Sequence, residues 1–237
     1  MDYSFGNAII KTQALSYNKY ISLNNVTVSF EKFGTTVLAL NKVSLDISKG
    51  EWISIMGPNG SGKTTMLKAI SKQLEYDAGE VEINSKSVND MTVKELTTTL
   101  FYVNQNPLLG SIPQLTVWEN LIATDFPGRS HNEATKVYSE LLNEVSLLSH
   151  KDHLVQFLSG GQRQILTLLI AKMRAPEVLL LDEPLASLDP DNTSIARSII
   201  AEMHKSGKTI LYVTHDQAAA NINGNRVIKL NQGQITQ

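Results

Sequence analysis

One nonapeptide, GPNGSGKTT at residues 57–65, constrains the fold of this chain more than any other segment. It matches the pattern G-x-x-x-x-G-K-[S/T], follows the apolar run WISIM and precedes the helical pattern MLKAISKQL. A strand, a glycine-rich turn and a helix in this order direct backbone N–H groups and a helix N-terminus at one point, where they bind phosphate. A chance match in a glycine-rich turn is the alternative, and the flanking strand and helix patterns disfavour it.

The chemistry of this loop assigns roles to two of its side chains. Lys63 is expected to reach the β- and γ-phosphates of a bound polyphosphate, and Thr64 is expected to offer its hydroxyl to Mg²⁺. The residues expected to bind the phosphates here are Gly57, Pro58, Asn59, Gly60, Ser61, Gly62, Lys63, Thr64 and Thr65.

Two adjacent acids, Asp182 and Glu183, end a second apolar run, VLLLDEP at residues 178–184. Ligands of open α/β sheets gather at the carboxyl ends of the strands, so both acids are expected near the phosphate loop. Because neighbouring strand residues point to opposite faces, the two acids are expected to act differently. We assign Asp182 to Mg²⁺, through water, and Glu183 to polarising the attacking water. Simple solvation of a strand end is the alternative.

The alternation of apolar runs and helical patterns favours an α/β fold with a parallel sheet covered by helices. Between residues 105 and 156 the alternation of strand-like and helical patterns stops. Apolar residues at helical spacing over residues 133–148 indicate a helical insertion there. Residues 1–20 show no clear period and receive no function. The predicted strands are residues 23–30, 37–47, 52–56, 178–181, 209–213 and 226–230, and the later predicted helices are residues 192–204 and a short helix from Asp216.

Composition excludes several classes of function. A formal net charge of -2 disfavours electrostatic capture of nucleic acid, and the absence of cysteine excludes disulfides and thiolate metal sites. No apolar run reaches the roughly 18 residues that a membrane span requires. Asp2 stands where a secretory signal would carry positive charge, so the chain is expected in the cytoplasm or on its membrane face.

A second glycine-rich helix start, LSGGQRQ at residues 158–164, contains no phosphate-binding lysine. A helix N-terminus with exposed glycine amides and a serine hydroxyl binds anions. If it lies beside the phosphate loop, one chain encloses the γ-phosphate. If it lies far from the loop, it is half of a site that a second chain completes. The residues alone favour neither arrangement.

Six segments together carry a family resemblance. The phosphate loop, Gln105, LSGGQ, LLLDEP, SLD at residues 187–189 and His215 resemble, in order and rough spacing, the motifs of ATP-binding cassette ATPases over residues 21–237. The resemblance implies a P-loop α/β core with a mostly parallel sheet, an antiparallel β subdomain and a helical subdomain of residues 106–158 plus the helix 159–174. It also implies ATP and Mg²⁺ as ligands and a head-to-tail dimer that sandwiches two ATP molecules.

The same resemblance implies roles for the remaining motif residues. Gln105 would touch Mg²⁺ or the attacking water, and His215 would hold the γ-phosphate and Glu183, although a loop residue and a strand-end cap are the alternatives. Asp189 would cross the dimer interface. Phe30, or else Phe33, would stack on adenine, unless it is ordinary core. The segment expected to hold the partner's ATP is Ser159, Gly160, Gly161 and Gln162.

The subtype and partners follow from the resemblance as well. LSGGQRQILTLL and NQNPLLGSIPQLTVWENL are similar to ATPases of a bacterial importer group with a branched-chain-type permease and a substrate-binding lipoprotein, although many of these have His where this chain has Pro184. The implied partners are a second copy of the ATPase, permease subunits and a substrate-binding protein, at the cytoplasmic face of the membrane. Because the sequence stops soon after VIKLNQGQITQ, no C-terminal regulatory domain is expected.

Three other functions compete with transport. A soluble cassette ATPase of DNA repair or translation usually has a long coiled-coil insertion or two cassettes, and this sequence has neither. A kinase-like P-loop protein, with LSGGQ as a plain helix cap, would hydrolyse ATP in proportion to its concentration. A degenerate cassette would bind ATP without turnover, and the presence of Lys63, Asp182, Glu183 and His215 argues against it.

Overall fold

The computed structural model of this protein describes residues 19–32, 34–125, 128–186, 188–220 and 226–236. These residues form ten strands, seven α-helices and short 3-10 turns. The strands are Lys19–Lys32 (β1), Thr35–Ser48 (β2), Trp52–Met56 (β3), Ala78–Ile83 (β4), Lys86–Ser87 (β5), Leu100–Val103 (β6), Val178–Asp182 (β7), Thr209–Val213 (β8), Arg226–Asn231 (β9) and Gln234–Thr236 (β10). The α-helices are Lys63–Ile70 (α1), Val93–Thr99 (α2), Val117–Thr124 (α3), His131–Glu144 (α4), Gly160–Arg174 (α5), Pro190–Lys205 (α6) and Gln217–Ala220 (α7).

The larger sheet has six strands in the order β10–β9–β3–β8–β7–β6. All its neighbouring pairs are parallel except β9 and β10, which pair antiparallel. Every residue of β3, β7 and β8 is buried, because helices cover one face of the sheet and α1 with the smaller sheet covers the other. Burial on both faces explains why these strands read as continuous apolar runs.

The smaller sheet is antiparallel, with the order β2–β1–β4–β5. Its inward residues share one apolar cluster with α1 and with one face of the larger sheet. The mostly parallel sheet and the antiparallel subdomain are therefore confirmed. Lys19 and Tyr20, the last two residues of the expected arm, already belong to β1, and the rest of that arm lies outside the described residues.

The helical segment is inserted between β6 and β7 and comprises α3, α4 and α5. In α4, Tyr138 and Leu142 are buried, and Val137 and Leu141 pack against the same cluster, which confirms the amphipathic pattern of the sequence. This segment shares its apolar cluster with α6 and with the β3–β8–β7 face of the sheet. Among the described residues, no helix combines the length and apolar character needed to cross a bilayer.

Candidate nucleotide-binding site

The phosphate loop connects the buried end of β3 to the first residue of α1, as its sequence predicts. Two of its glycines sit where a side chain does not fit. A Cβ on Gly57 would lie 2.0 Å from the Leu230 carbonyl oxygen, and a Cβ on Gly62, whose φ is 105°, would lie 2.2 Å from the Ala39 carbonyl oxygen. Only glycine therefore allows the loop to curl this closely against β2 and β9.

Lys63, the first residue of α1, is folded back over the loop. Its Nζ donates to the carbonyl oxygens of Gly57 at 2.8 Å and Pro58 at 3.0 Å. The residue is only 6% exposed, and the described residues give it no salt bridge. Because these two carbonyl acceptors are neutral, the ammonium can also bind an anionic partner, which is the role predicted for Lys63 on phosphate.

A cavity of about 790 Å³ opens over the loop. It is lined by loop residues, by the ends of β1 and β2, and by residues that follow β6, β7 and β8. Ser61 is the exception among the predicted loop residues, because it is 2% exposed and does not line the cavity. The lining residues are Phe30, Val37, Leu38, Ala39, Gly57, Pro58, Asn59, Gly60, Gly62, Lys63, Thr64, Thr65, Gln105, Glu183 and His215.

Asp182, the last residue of β7, is 2% exposed beside the loop. Burial raises the pKa of its carboxyl, and hydrogen bonds with the side chains of Thr64 and Tyr102 oppose that shift. The Tyr102 hydroxyl donates to Asp182 Oδ2 at 2.9 Å. Burial and the nearby charge of Asp182 raise the pKa of the Tyr102 phenol, which therefore remains a proton donor. Sequence reasoning missed Tyr102, since no local motif marks it.

Glu183 follows Asp182 outside the strand, with a φ of 48°. Its backbone N–H donates to the Val213 carbonyl at 3.1 Å, which ties it to β8. Gln105 Nε2 donates to Glu183 Oε2 at 3.3 Å, and His215 Nδ1 lies 3.5 Å from Glu183 Oε1. Three residues predicted from separate motifs thus meet at the mouth of the cavity.

The oxygen donors at this point suit Mg²⁺. Thr64 supplies a hydroxyl and Asp182 a carboxylate, and the Gln105 side chain adds an amide oxygen nearby. The described residues contain no group of three or more His, Asp or Glu side chains that could enclose a metal alone. Mg²⁺ commonly binds one or two protein oxygens together with substrate phosphates, so this set fits the ion.

Phe30 lies at the other end of the cavity, 43% exposed. It pairs across β1 and β2 with Val37, and Leu38 adds a third exposed apolar side chain there. This wall is a surface on which a flat base can stack. Phe33, the second sequence candidate, lies outside the described residues.

The LSGGQ segment does not join this cavity. Ser159 caps α5, its Oγ accepting from Gln162 N at 3.1 Å while Gln162 Oε1 accepts from Ser159 N at 2.9 Å. Ser159 and Gly160 are exposed, and none of the four predicted residues of this segment is among the residues that line the cavity. Within one chain, then, the two glycine-rich helix starts are separate.

Asp189 caps the neighbouring helix α6. Backbone and side-chain hydrogen bonds from Asn192 lower the pKa of its carboxyl, with Oδ1 accepting from Asn192 N at 2.9 Å. A Cβ on Gly161 would lie 2.9 Å from Asn192 Nδ2, so the starts of α5 and α6 pack side by side. Asp189 and the LSGGQ segment therefore share one surface. Ser187 lies outside the described residues.

Comparison with protein-family models matches residues 40–186 to the model described as ABC transporter. The matched residues make up more than half of the chain and include the phosphate loop, the LSGGQ segment and both acids. This chain belongs to the ABC transporter family.

Two curated relatives of this ABC transporter chain are named for transport. It is 36% identical over 225 residues to the spermidine/putrescine import ATP-binding protein PotA of Thermotoga maritima, an alignment that covers 92% of this chain and 57% of PotA. The chain thus spans little more than half the length of that relative. It is 34% identical over 225 residues to the tyrosine transport ATP-binding protein of Clostridioides difficile, with 91% of this chain and 90% of the relative covered.

Solved structures of the ATP-binding cassette MJ0796 are similar in fold. One is a dimer in a post-hydrolysis state bound to ADP and phosphate, with a TM-score of 0.81 and 33% identity. Another, described as the dimeric structure of a bacterial ABC transporter cassette, has a TM-score of 0.81 and 34% identity. Both alignments cover 92% of this chain and 97% of the solved one. The fold is that of the ABC cassette, and this chain is an ATPase of the family.

Proposed function

We propose that this chain is the ATP-hydrolysing subunit of a membrane importer, acting as a head-to-tail dimer at the cytoplasmic face of the membrane. Each ATP, with Mg²⁺, lies between the phosphate loop of one copy and the LSGGQ segment of the other. The observation that carries this proposal is the separation, within one chain, of an exposed helix start from the 790 Å³ cavity.

The free backbone donors of α5 support the dimer. The first N–H groups of a helix have no partner within the helix, and here the Ser159 hydroxyl takes up only that of Gln162. Nothing within 4 Å would obstruct a Cβ at Gly160, so the helix start opens to solvent. An anion site that faces outward, on a chain similar to MJ0796, whose two solved structures are described as dimeric, is suited to a neighbour's γ-phosphate.

In this proposal, the residues in and beside the cavity have separate roles in ATP binding and hydrolysis. The loop N–H groups and Lys63 hold the β- and γ-phosphates, and the Phe30 wall receives the adenine. Glu183 accepts a hydrogen bond from the attacking water and directs it in line with the γ-phosphorus. Gln105 and His215 hold the Glu183 carboxylate from its two sides. Thr64 and Asp182 would hold Mg²⁺, which would supply positive charge against the charge that develops on the phosphate oxygens.

The position of Gln105 supports a mechanical link between the nucleotide site and a docked transport partner. Its segment leads directly into the 3-10 turn Pro107–Gly110 and the helical segment, so ATP-driven closure of the dimer would move whatever is docked there. We assign residues 21–237 to one ATPase domain, with residues 106–158 and 159–174 as its helical subdomain, and leave residues 1–20 as an arm. The docked partners in this proposal are permease subunits.

Import, rather than export, is supported by the name of one relative, PotA. One relative is an import protein for polyamines and the other a transport protein for tyrosine. The two cargoes differ in chemistry, so the proposal extends only to uptake of a small solute. The importer group with a branched-chain-type permease and a substrate-binding lipoprotein remains our assignment, based on the segments LSGGQRQILTLL and NQNPLLGSIPQLTVWENL.

A cross-linking experiment tests the shared site, because the chain contains no cysteine. Asn59→Cys and Ser159→Cys are placed in separate chains that also carry Glu183→Gln, which retains the phosphate contacts but slows hydrolysis by about 100-fold or more. With Mg-ATP and a short bismaleimide, the mixed chains are expected to form a covalent dimer. Either chain alone, or the mixture without ATP, should remain uncross-linked.

Dilution kinetics give an independent test. If two chains build each site, the wild-type rate at low concentration rises with the square of the chain concentration. A rate strictly proportional to concentration, together with no cross-linked dimer, would refute the shared site and favour a single-chain P-loop enzyme.

A further inference from the structure

The Tyr102–Asp182 hydrogen bond joins two residues that are 80 positions apart in the sequence. Tyr102 lies on β6 and pairs with Leu180 of the parallel strand β7. Since side chains alternate along a strand, Asp182 lies two residues further on the same face of the sheet. This is also the face covered by α1 and the phosphate loop, since Leu180 and Tyr102 contribute to that apolar cluster.

We propose that Tyr102 is a positioning residue for the Mg²⁺ site: its hydroxyl holds Asp182 Oδ2 and so fixes the direction in which the rest of the carboxylate faces Thr64 and the bound phosphates. This inference rests on the proposed role of Asp182 at Mg²⁺. It adds a residue that none of the sequence motifs contains.

A carboxylate at this position needs such a support. The terminal torsion of an aspartate is broad and roughly two-fold, so its two oxygens have no strongly preferred direction of their own. Asp182 is 2% exposed, which leaves little solvent to orient it. The phenol is a rigid donor, because its ring is half-buried and packs against the core that contains Leu180. A fixed donor on one oxygen restricts the rotation of the whole group.

The helical segment contains a comparable pair that has no connection with the cavity. The Tyr138 hydroxyl donates to Asp125 Oδ2 at 2.7 Å, and Tyr138 is 2% exposed. Removing this hydroxyl deletes the same type of hydrogen bond from the same fold. Tyr138→Phe is therefore the matched control for Tyr102→Phe.

The test compares wild type, Tyr102→Phe and Tyr138→Phe in binding of a fluorescent ATP analogue, titrated with Mg²⁺, and in thermal midpoint. Loss of a residue that orients a metal ligand typically weakens metal affinity about 10- to 100-fold. Tyr102→Phe is expected to need about tenfold more Mg²⁺ for half-maximal enhancement of binding. Its affinity in EDTA should equal that of wild type. Tyr138→Phe should keep the wild-type Mg²⁺ requirement, with a similar loss of thermal midpoint.

Either of two results would overturn the role of Tyr102 while leaving Asp182 at the metal: an unchanged Mg²⁺ requirement in Tyr102→Phe, or an equal increase in both variants. If Tyr102→Phe does not fold, Tyr102→Met, which fills much of the space without a hydroxyl, is measured in its place against the same expectations. Binding of ATP by wild type that does not depend on Mg²⁺ would instead refute the assignment of Asp182 to the metal, and with it this inference.

Discussion

Two aspartates among the described residues accept a hydrogen bond from a tyrosine, Asp182 in the α/β core and Asp125 in the helical segment, and they differ in their second partner. Asp125 Oδ1 lies 2.6 Å from Arg129 Nη1, and its side chain is 8% exposed. Burial opposes ionisation of Asp125, but hydrogen bonds from Tyr138 and Arg129 and the charge of Arg129 lower its pKa below the ordinary value. Asp182 has only hydroxyl groups as direct hydrogen-bond partners among the described side chains, and burial raises its pKa.

The comparison shows that burial alone does not distinguish a functional carboxylate from a structural one. The charge of Asp125 is neutralised by Arg129, four residues further along the same segment. Among the described residues no salt bridge neutralises Asp182, although the charge of Lys63 favours its ionised form, so a cation bound here would stabilise the carboxylate further. The nature of the partner, rather than the depth of burial, therefore marks the site.

The largest expected difference between the two acids is in catalysis. Asp182→Asn is expected to lower the ATPase rate by about 100-fold or more, because each tenfold corresponds to about 1.4 kcal/mol and a metal ion supplies several kcal/mol of charge stabilisation. Asp125→Asn should retain a rate within about twofold of wild type. Steady-state phosphate release measures both. Equal losses in the two variants would contradict the comparison.

The second expected difference is in stability. Asp125→Asn removes the charge that pairs with Arg129, and hydrogen bonds to charged groups contribute about 1.5–3 kcal/mol to stability. We expect a loss near the lower end of that range, since Arg129 retains contact with solvent, and a fall in the thermal midpoint of about 3–6 °C for a chain of this size. Arg129→Met, measured alongside, should lower the midpoint to a similar extent. A variant as stable as wild type would show that the pair is not structural.

The smallest expected difference is in pH dependence, measured as thermal midpoint in EDTA without nucleotide. Because the pKa of Asp182 is raised, folded wild type loses stability relative to Asp182→Asn as pH rises from about 4 through the folded-state pKa. Because the pKa of Asp125 is lowered, wild type keeps its advantage over Asp125→Asn above about pH 4 and loses it as pH falls through the lowered pKa. Parallel pH profiles of the two differences would contradict these assignments.

The sequence predicted the parts of the site that local motifs define. The strands β3 and β8 match their predicted bounds, and Lys63, Gln105, Glu183 and His215 line one cavity as their motifs require. The strands β4, β5 and β6 and the helix α2 were not predicted. They are short and, in β4 and α2, largely exposed, so their apolar pattern is weak. The Tyr102–Asp182 contact depends on strand order, which a local pattern does not reveal.

The phosphate loop contacts β9 and the turn that joins β9 to β10. Leu230 blocks any side chain at Gly57, Gly233 N donates to Ser61 O at 3.0 Å, and Asn41 N donates to Gly233 O at 2.8 Å. During synthesis from the N-terminus, the ribosome completes residues 57–64 long before it adds these supports. A nascent chain therefore has its phosphate-loop residues before it has these contacts with β9 and the turn after it. The β9–β10 hairpin must leave the exit tunnel before the loop can reach the packing that it has in the folded protein.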